Sequence, residues 1–96
     1  MIEYRGERFE GYNIPKRTPN HSTKSHAVLV KDGDRIELIR FGSQGATGSP
    51  PRDGESESYS ARREAWIARH LADIKRGKFS PAWWAAKVKW GYTYRG

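Results

Sequence analysis

Apolar positions recur at two different spacings along the chain, a period near two in the first half and a helical period in the last third. From residue 1 to 14, Ile2 and Tyr4, then Phe9, Tyr12 and Ile14, alternate with polar residues and are interrupted by Gly6 and Gly11. That pattern predicts one or two short, partly exposed strands, or an arm that lays aromatics on the domain. HAVLVK and RIELIRF flank Asp32-Gly33 and predict a β-hairpin over 26–41, since Asp-Gly suits a two-residue type I′ turn. Pairing outward from Asp32-Gly33 sets Leu29 opposite Ile36 and Ala27 opposite Leu38, so these residues share one face. Val28, Val30, Ile39 and Phe41 fall on the other, mixed face, to be covered by the N-terminal arm or by another chain. A two-stranded ribbon is marginal alone, so the C-terminal helices are its expected partner.

In the last third, Ile67, Leu71 and Ile74 recur at spacings of four and three, the inward stripe of a helix expected over about 59–76. Ser58 or Ser60 can cap it, and Gly77 is the natural stop. Tyr59, Arg63, Trp66 and His70 run beside the stripe, while Arg62, Arg69 and Arg76 recur every seven residues on the side away from it. Ser80-Pro81 restarts a helix, cap followed by proline, that runs to Trp90 and ends at Gly91. On it Trp84 and Val88 share one face and Trp83, Ala86 and Trp90 another.

The remaining stretches lack periodicity. PKRTPNHSTKSH, 15–26, reads as an extended connector, either a solvated linker or a basic arm that meets phosphates through Lys16 and Arg17. Residues 42–58 hold four glycines, two prolines and four serines and read as a long flexible loop. Its opening FGSQG has no GK[ST] and no G-x-G-x-x-G before a helix, so a nucleotide cradle is only weakly indicated. The expected fold is a small single α+β domain, 1–96, in which a β-hairpin, with an N-terminal strand as an optional addition, packs on two C-terminal helices. Its parts are an arm and basic connector (1–25), the hairpin (26–41), the flexible loop (42–58) and a helical basic-aromatic unit (59–96). The core is expected to include Leu29, Ile36, Leu38, Phe41, Trp66, Ile67, Leu71, Ile74, Phe79, Trp84 and Val88.

Charge sharpens this picture. The formal net charge is +7 over 96 residues, and the residues from Ser60 onward carry all of it, together with all four tryptophans. A basic, aromatic-rich unit suggests a polyanionic partner. Arg62, Arg69, Arg76, Lys87 and Lys89, with Trp83 or Trp90 as a stacking ring, form the candidate contact set, joined by Lys16 and Arg17. The same features also fit the acidic surface of a protein as partner. With no cysteine, disulfides, Cys-ligated zinc and thiol catalysis are excluded. The three histidines, His21, His26 and His70, show no metal-binding spacing, so no metal, cofactor or catalytic residue is expected. His70→Ala would test the one alternative, a small nuclease. No apolar run reaches membrane-spanning length and the N-terminus lacks a signal-peptide core, so a soluble, intracellular protein is the expectation.

KRTPNHSTKSHAVLVKDGDRIELIRFGSQG (16–45), ARREAWIARH (61–70) and IKRGKFSPAWWAAKVKW (74–90) resemble, in that order, a family of small basic tailed-bacteriophage proteins that is largely uncharacterised. More distant look-alikes occur in other large double-stranded DNA viruses. The residues that carry the resemblance best are Phe41, Gly42, Gly45, Arg69, His70, Trp84, Lys87 and Trp90. The resemblance implies a virion component, located in the virion, the host cytoplasm or both, and no catalytic assignment. Joined with the basic charge, it makes a nucleic-acid-binding protein the first expectation. The alternatives are a head, neck or tail component that contacts phage structural proteins, or a host-takeover factor on the acidic surface of a host protein. Some look-alikes carry cysteines near His70 and the C-terminal tryptophans; this chain has none, so no metal role is carried over.

Overall fold

A computed structural model describes residues 1–95. Seven elements follow in order: β1 (Ile2–Tyr4), β2 (Glu7–Phe9), β3 (Lys16–Arg17), β4 (Lys24–Asp32), β5 (Arg35–Ser43), α1 (Glu57–Ile74) and α2 (Pro81–Trp90). The strands form two antiparallel sheets, β1-β2 and β3-β4-β5, and the class is α+β. The chain divides into two compact units, Met1–Gly45 and the residues from Ala46 onward.

In the first unit, β1 and β2 join through Arg5 and Gly6, both at positive φ (50° and 81°), the backbone of a type I′ turn. The ribbon turns Ile2, Tyr4 and Phe9 onto Ala27, Leu29, Ile36 and Leu38. The N-terminal segment is therefore a second small sheet, not a strand added to the hairpin. The strand that does extend the hairpin is β3, from the stretch read as a connector: Lys16 pairs with Ala27 and Arg17 with His26.

The β4–β5 hairpin is longer than expected and pairs in a different register. Asp32 faces Arg35, Leu29 faces Leu38 and Val28 faces Ile39, so the loop is Gly33-Asp34, not Asp32-Gly33. Gly33 has φ 60° and Asp34 is not among the positive-φ residues, which fits a type II′ turn with glycine first. Moving the loop by one residue shifts each pairing by two, and strand faces repeat every two residues. Ala27, Leu29, Ile36 and Leu38 therefore still share a face. Val28, Val30, Ile39 and Phe41, on the opposite face, are buried, whereas Ile36 and Leu38, expected in the core, are half-buried.

In the second unit, Ser56 is the cap of α1, two residues before Ser58; its side chain accepts from the Tyr59 amide at 3.1 Å. The helix ends at Ile74 with Lys75 as its C-cap, so Arg76 lies just beyond it, and Gly77 takes φ 88°. α2 spans the expected residues, with Pro81 in its first turn and Gly91 at φ 64° closing it through a bond to the Ala86 carbonyl. Ile74, Trp84, Ala85, Ala86 and Trp90 are buried here, while Trp66, Ile67, Leu71, Phe79 and Val88 are only half-buried. Among the described residues, no helix is long and apolar enough to cross a membrane.

Candidate nucleic-acid interface

The arginines of α1 divide into two kinds. Arg62 and Arg63 reach back to the preceding loop. Arg62 donates to Ser49 Oγ at 3.0 Å and to the Thr47 carbonyl, and its guanidinium lies over the Trp90 ring at 5.0 Å. Arg63 donates to the Ser49 carbonyl at 3.1 Å and grips both carboxylate oxygens of Glu55 at 2.9 and 2.7 Å. That fork holds the Glu55 carboxyl below the usual carboxylate range and raises the Arg63 guanidinium. Tyr59 Oη donates to the Pro50 carbonyl at 2.9 Å. Ser49 is fully buried, and Gly48 meets the Lys89 backbone. The glycine-rich stretch thus carries more anchoring than its composition announces.

Arg69 is exposed and forms no ion pair among the described residues; Arg76 is exposed with only a long 3.9 Å contact to Asp73. Lys87 is exposed on α2, its Nζ 5.5 Å from the ring centres of both Trp83 and Trp84. Lys89 is half-buried beside them in sequence. Among the predicted contact cations of the second unit, Arg69, Arg76 and Lys87 therefore keep their charge at the surface. Arg62 is taken up by the loop.

The tryptophans are placed differently from the expectation of an open stacking ring. Trp90, one of the candidate rings, is buried to 6% and stacks on Trp66 at 4.9 Å, with Trp66 in turn 4.4 Å from His70. The physical reason is area: a helix with little Leu or Val closes its core with its largest rings. Trp83 is half-buried, edge-on to Trp84, and donates its Nε1 proton to the Tyr94 carbonyl at 3.2 Å.

The motif residues of unassigned role have structural duties. Phe41 is buried under a stacked His26 at 5.1 Å, and Trp84 is buried with Nε1 donating to the Lys78 carbonyl at 2.7 Å. Gly42 and Gly45 take left-handed φ of 74° and 76°. His70 is the outer layer of the Trp66 stack.

Lys16 and Arg17 lie side by side on β3, in the first unit. Lys16 Nζ donates to the Arg8 carbonyl at 2.8 Å and sits 4.5 Å from the Phe9 ring centre. Arg17 is exposed. The residue that sequence reasoning missed is Gln44. Its Nε2 lies 2.7, 2.9 and 2.8 Å from the carbonyls of Thr18, His21 and Lys24 and clasps the loop after β3. No local pattern could announce this, since the partners lie 20 to 26 residues away.

No family model matches the chain, and neither a curated protein nor a solved structure matches it.

Proposed function

We propose that this is a small basic bacteriophage protein that binds nucleic acid through the phosphate backbone and is associated with the virion near packaged DNA. The observation that carries the reading is the imbalance of charge from Ala46 onward, ten Lys/Arg against five Asp/Glu. Glu55, one of the five, is absorbed by Arg63, while Arg69, Arg76 and Lys87 stay exposed. Cations displayed this way attract a polyanion and release its counterions. The burial of Trp90 and the half-burial of Trp66 and Trp83 favour backbone contact over base stacking, and so a sequence-tolerant binder.

The test is fluorescence anisotropy with labelled duplex and single-stranded DNA at rising salt. Binding at low salt that weakens steeply with salt is expected, and Arg69→Glu/Arg76→Glu should weaken it by about tenfold or more. No binding at low salt would sink the reading. Mass spectrometry of purified particles tests the virion part.

A further inference from the structure

A cleft of about 420 Å³ opens in the first unit, lined by Glu7 and the continuous run Lys16, Arg17, Thr18, Pro19, Asn20 and His21. We propose that this cleft seats a phosphate group, with Arg17, Asn20 and His21 as its donors and Gln44 as the positioning residue that shapes the loop. The proposal does not rest on the nucleic-acid reading of the helical unit, whose cations it does not use.

The backbone supplies the first donor. β3 is an edge strand, and the Thr18 amide donates to the Ser25 carbonyl at 2.8 Å. Backbone groups in an antiparallel ladder turn toward the partner at every second residue. Lys16 and Thr18 therefore face β4, and the Arg17 N–H points away from it, on the open side. Its guanidinium is on the same exposed residue, with no ion pair among the described residues.

His21 supplies a second donor in a fixed form. Its Nδ1 accepts from the Thr23 and Lys24 amides at 3.2 and 2.9 Å. Nδ1 then carries the lone pair, so the neutral ring holds its proton on Nε2, where it can only donate. The Asn20 side chain is exposed at the same rim.

The loop is built to hold this shape. The three carbonyls of Thr18, His21 and Lys24 converge on Gln44 Nε2, and Thr18 Oγ1 adds a bond to the Lys24 carbonyl at 2.9 Å. An amide has only two protons, so the three oxygens share them. Carbonyls engaged in this way are not left as free acceptors that would repel an anion.

The one acid of the lining is offset. Glu7 pairs with Arg40 at 2.7 Å, both about three-quarters buried. The pair is neutral, so Glu7 adds no net negative charge to the cleft, and Arg40 Nη1 is buried without a hydrogen-bond partner. Lys16 has two ammonium protons left after its bond to the Arg8 carbonyl. A phosphate takes charge-assisted bonds from such a set, and the cleft volume lies in the range of small-ligand sites.

The experiment is a ¹H–¹⁵N NMR titration of the full chain with inorganic phosphate at constant ionic strength held by sodium chloride. Saturable shifts at the Arg17 amide, Asn20, His21 and the Gln44 side-chain NH₂ are expected. Arg17→Ala should weaken the affinity by about tenfold or more, the loss of a charge-assisted contact. Gln44→Ala should weaken it also, with the loop amides shifted before any phosphate is added. Thymidine 5′-monophosphate and the dinucleoside monophosphate dTpdT, which has no terminal phosphate, distinguish the source. Tighter binding of the first assigns a terminal monoester, and tighter binding of the second a backbone diester. Shifts that rise linearly without saturation, shifts confined to residues 57–90, or an unchanged affinity in Arg17→Ala while the spectrum stays folded would overturn the seat. A result confined to residues 57–90 would overturn it without touching the proposed function.

Discussion

Residue-scale constraints are sharpest where the chain has no room to change. A Cβ on Gly48 would lie 1.7 Å from the Lys89 carbonyl oxygen and 2.4 Å from its carbon. Both are backbone atoms of α2, so relief requires moving the helix or the loop. Gly48→Ala should therefore cost about 1–3 kcal/mol, the range for overpacking, and lower Tm by about 4 °C or more. An unchanged Tm would mean that loop and helix are not held this close. Glu55 offers a second handle. Arg63 depresses its carboxyl, so the folded form binds its proton less readily than the unfolded chain. The stability this adds is in place above the unfolded carboxylate value, about 4.3 for Glu, and fades as pH falls through the lower folded value. Glu55→Gln should thus lower the urea midpoint at neutral pH, and its gap from the parent should close as the pH falls below that range. A gap that stays constant with pH would contradict the ion-pair account. Neither residue stood out in the sequence, because Gly48 and Glu55 act through partners brought close by folding, Lys89 from another element and Arg63 from the next one.

Periodicity revealed most of the elements, and capping chemistry decided their ends. α2 was legible to the residue, since Ser80-Pro81 and Gly91 mark its two ends without ambiguity. α1 was legible in its stripe but not in its start, since three serines at 56, 58 and 60 present the same oxygen. Geometry distinguishes them: Ser56 accepts from the Tyr59 amide, whereas Ser60 Oγ donates to the Glu57 carbonyl within the helix. Ser56→Ala should cost about 1 kcal/mol, and Ser58→Ala and Ser60→Ala less than about 0.5 kcal/mol each, measured by chemical denaturation. Equal losses at the three sites would place the cap wrongly. In the hairpin, Asp32-Gly33 and Gly33-Asp34 are both good loops, and the difference is whether one or two residues take positive φ. The faces were legible despite the shifted register because the error was an even number of residues. β3 was not, since Lys16 and Arg17 offer no apolar alternation of their own and are held by the ladder and the Gln44 clasp.

Across the whole molecule, the number of cations says less than which of them are already paired. Lys and Arg total 18 against 11 Asp and Glu, but Arg35, Arg40 and Arg63 are each joined to a carboxylate of the same unit. A cation held this way changes the local field little, and releases few counterions when a polyanion arrives. Arg69 and Lys87, exposed and without such a partner among the described residues, should account for most of the salt dependence. The sequence alone placed the charge in the last third, but it could not separate Arg62 and Arg63, which tie down the loop, from Arg69, seven residues after Arg62. The consequence is measurable in the slope of log affinity against log salt for duplex DNA. Arg69→Ala and Lys87→Ala should each reduce that slope by about one, the signature of a lost phosphate contact. Arg35→Ala/Glu37→Ala removes a pair, keeps the net charge at +7 and should leave the slope unchanged. If all these variants behave alike, binding responds to net charge and no particular cations form an interface. If Arg69 and Lys87 alone alter the slope, the contact surface runs along α1 and α2, on side chains that the loop and the carboxylates leave unpaired.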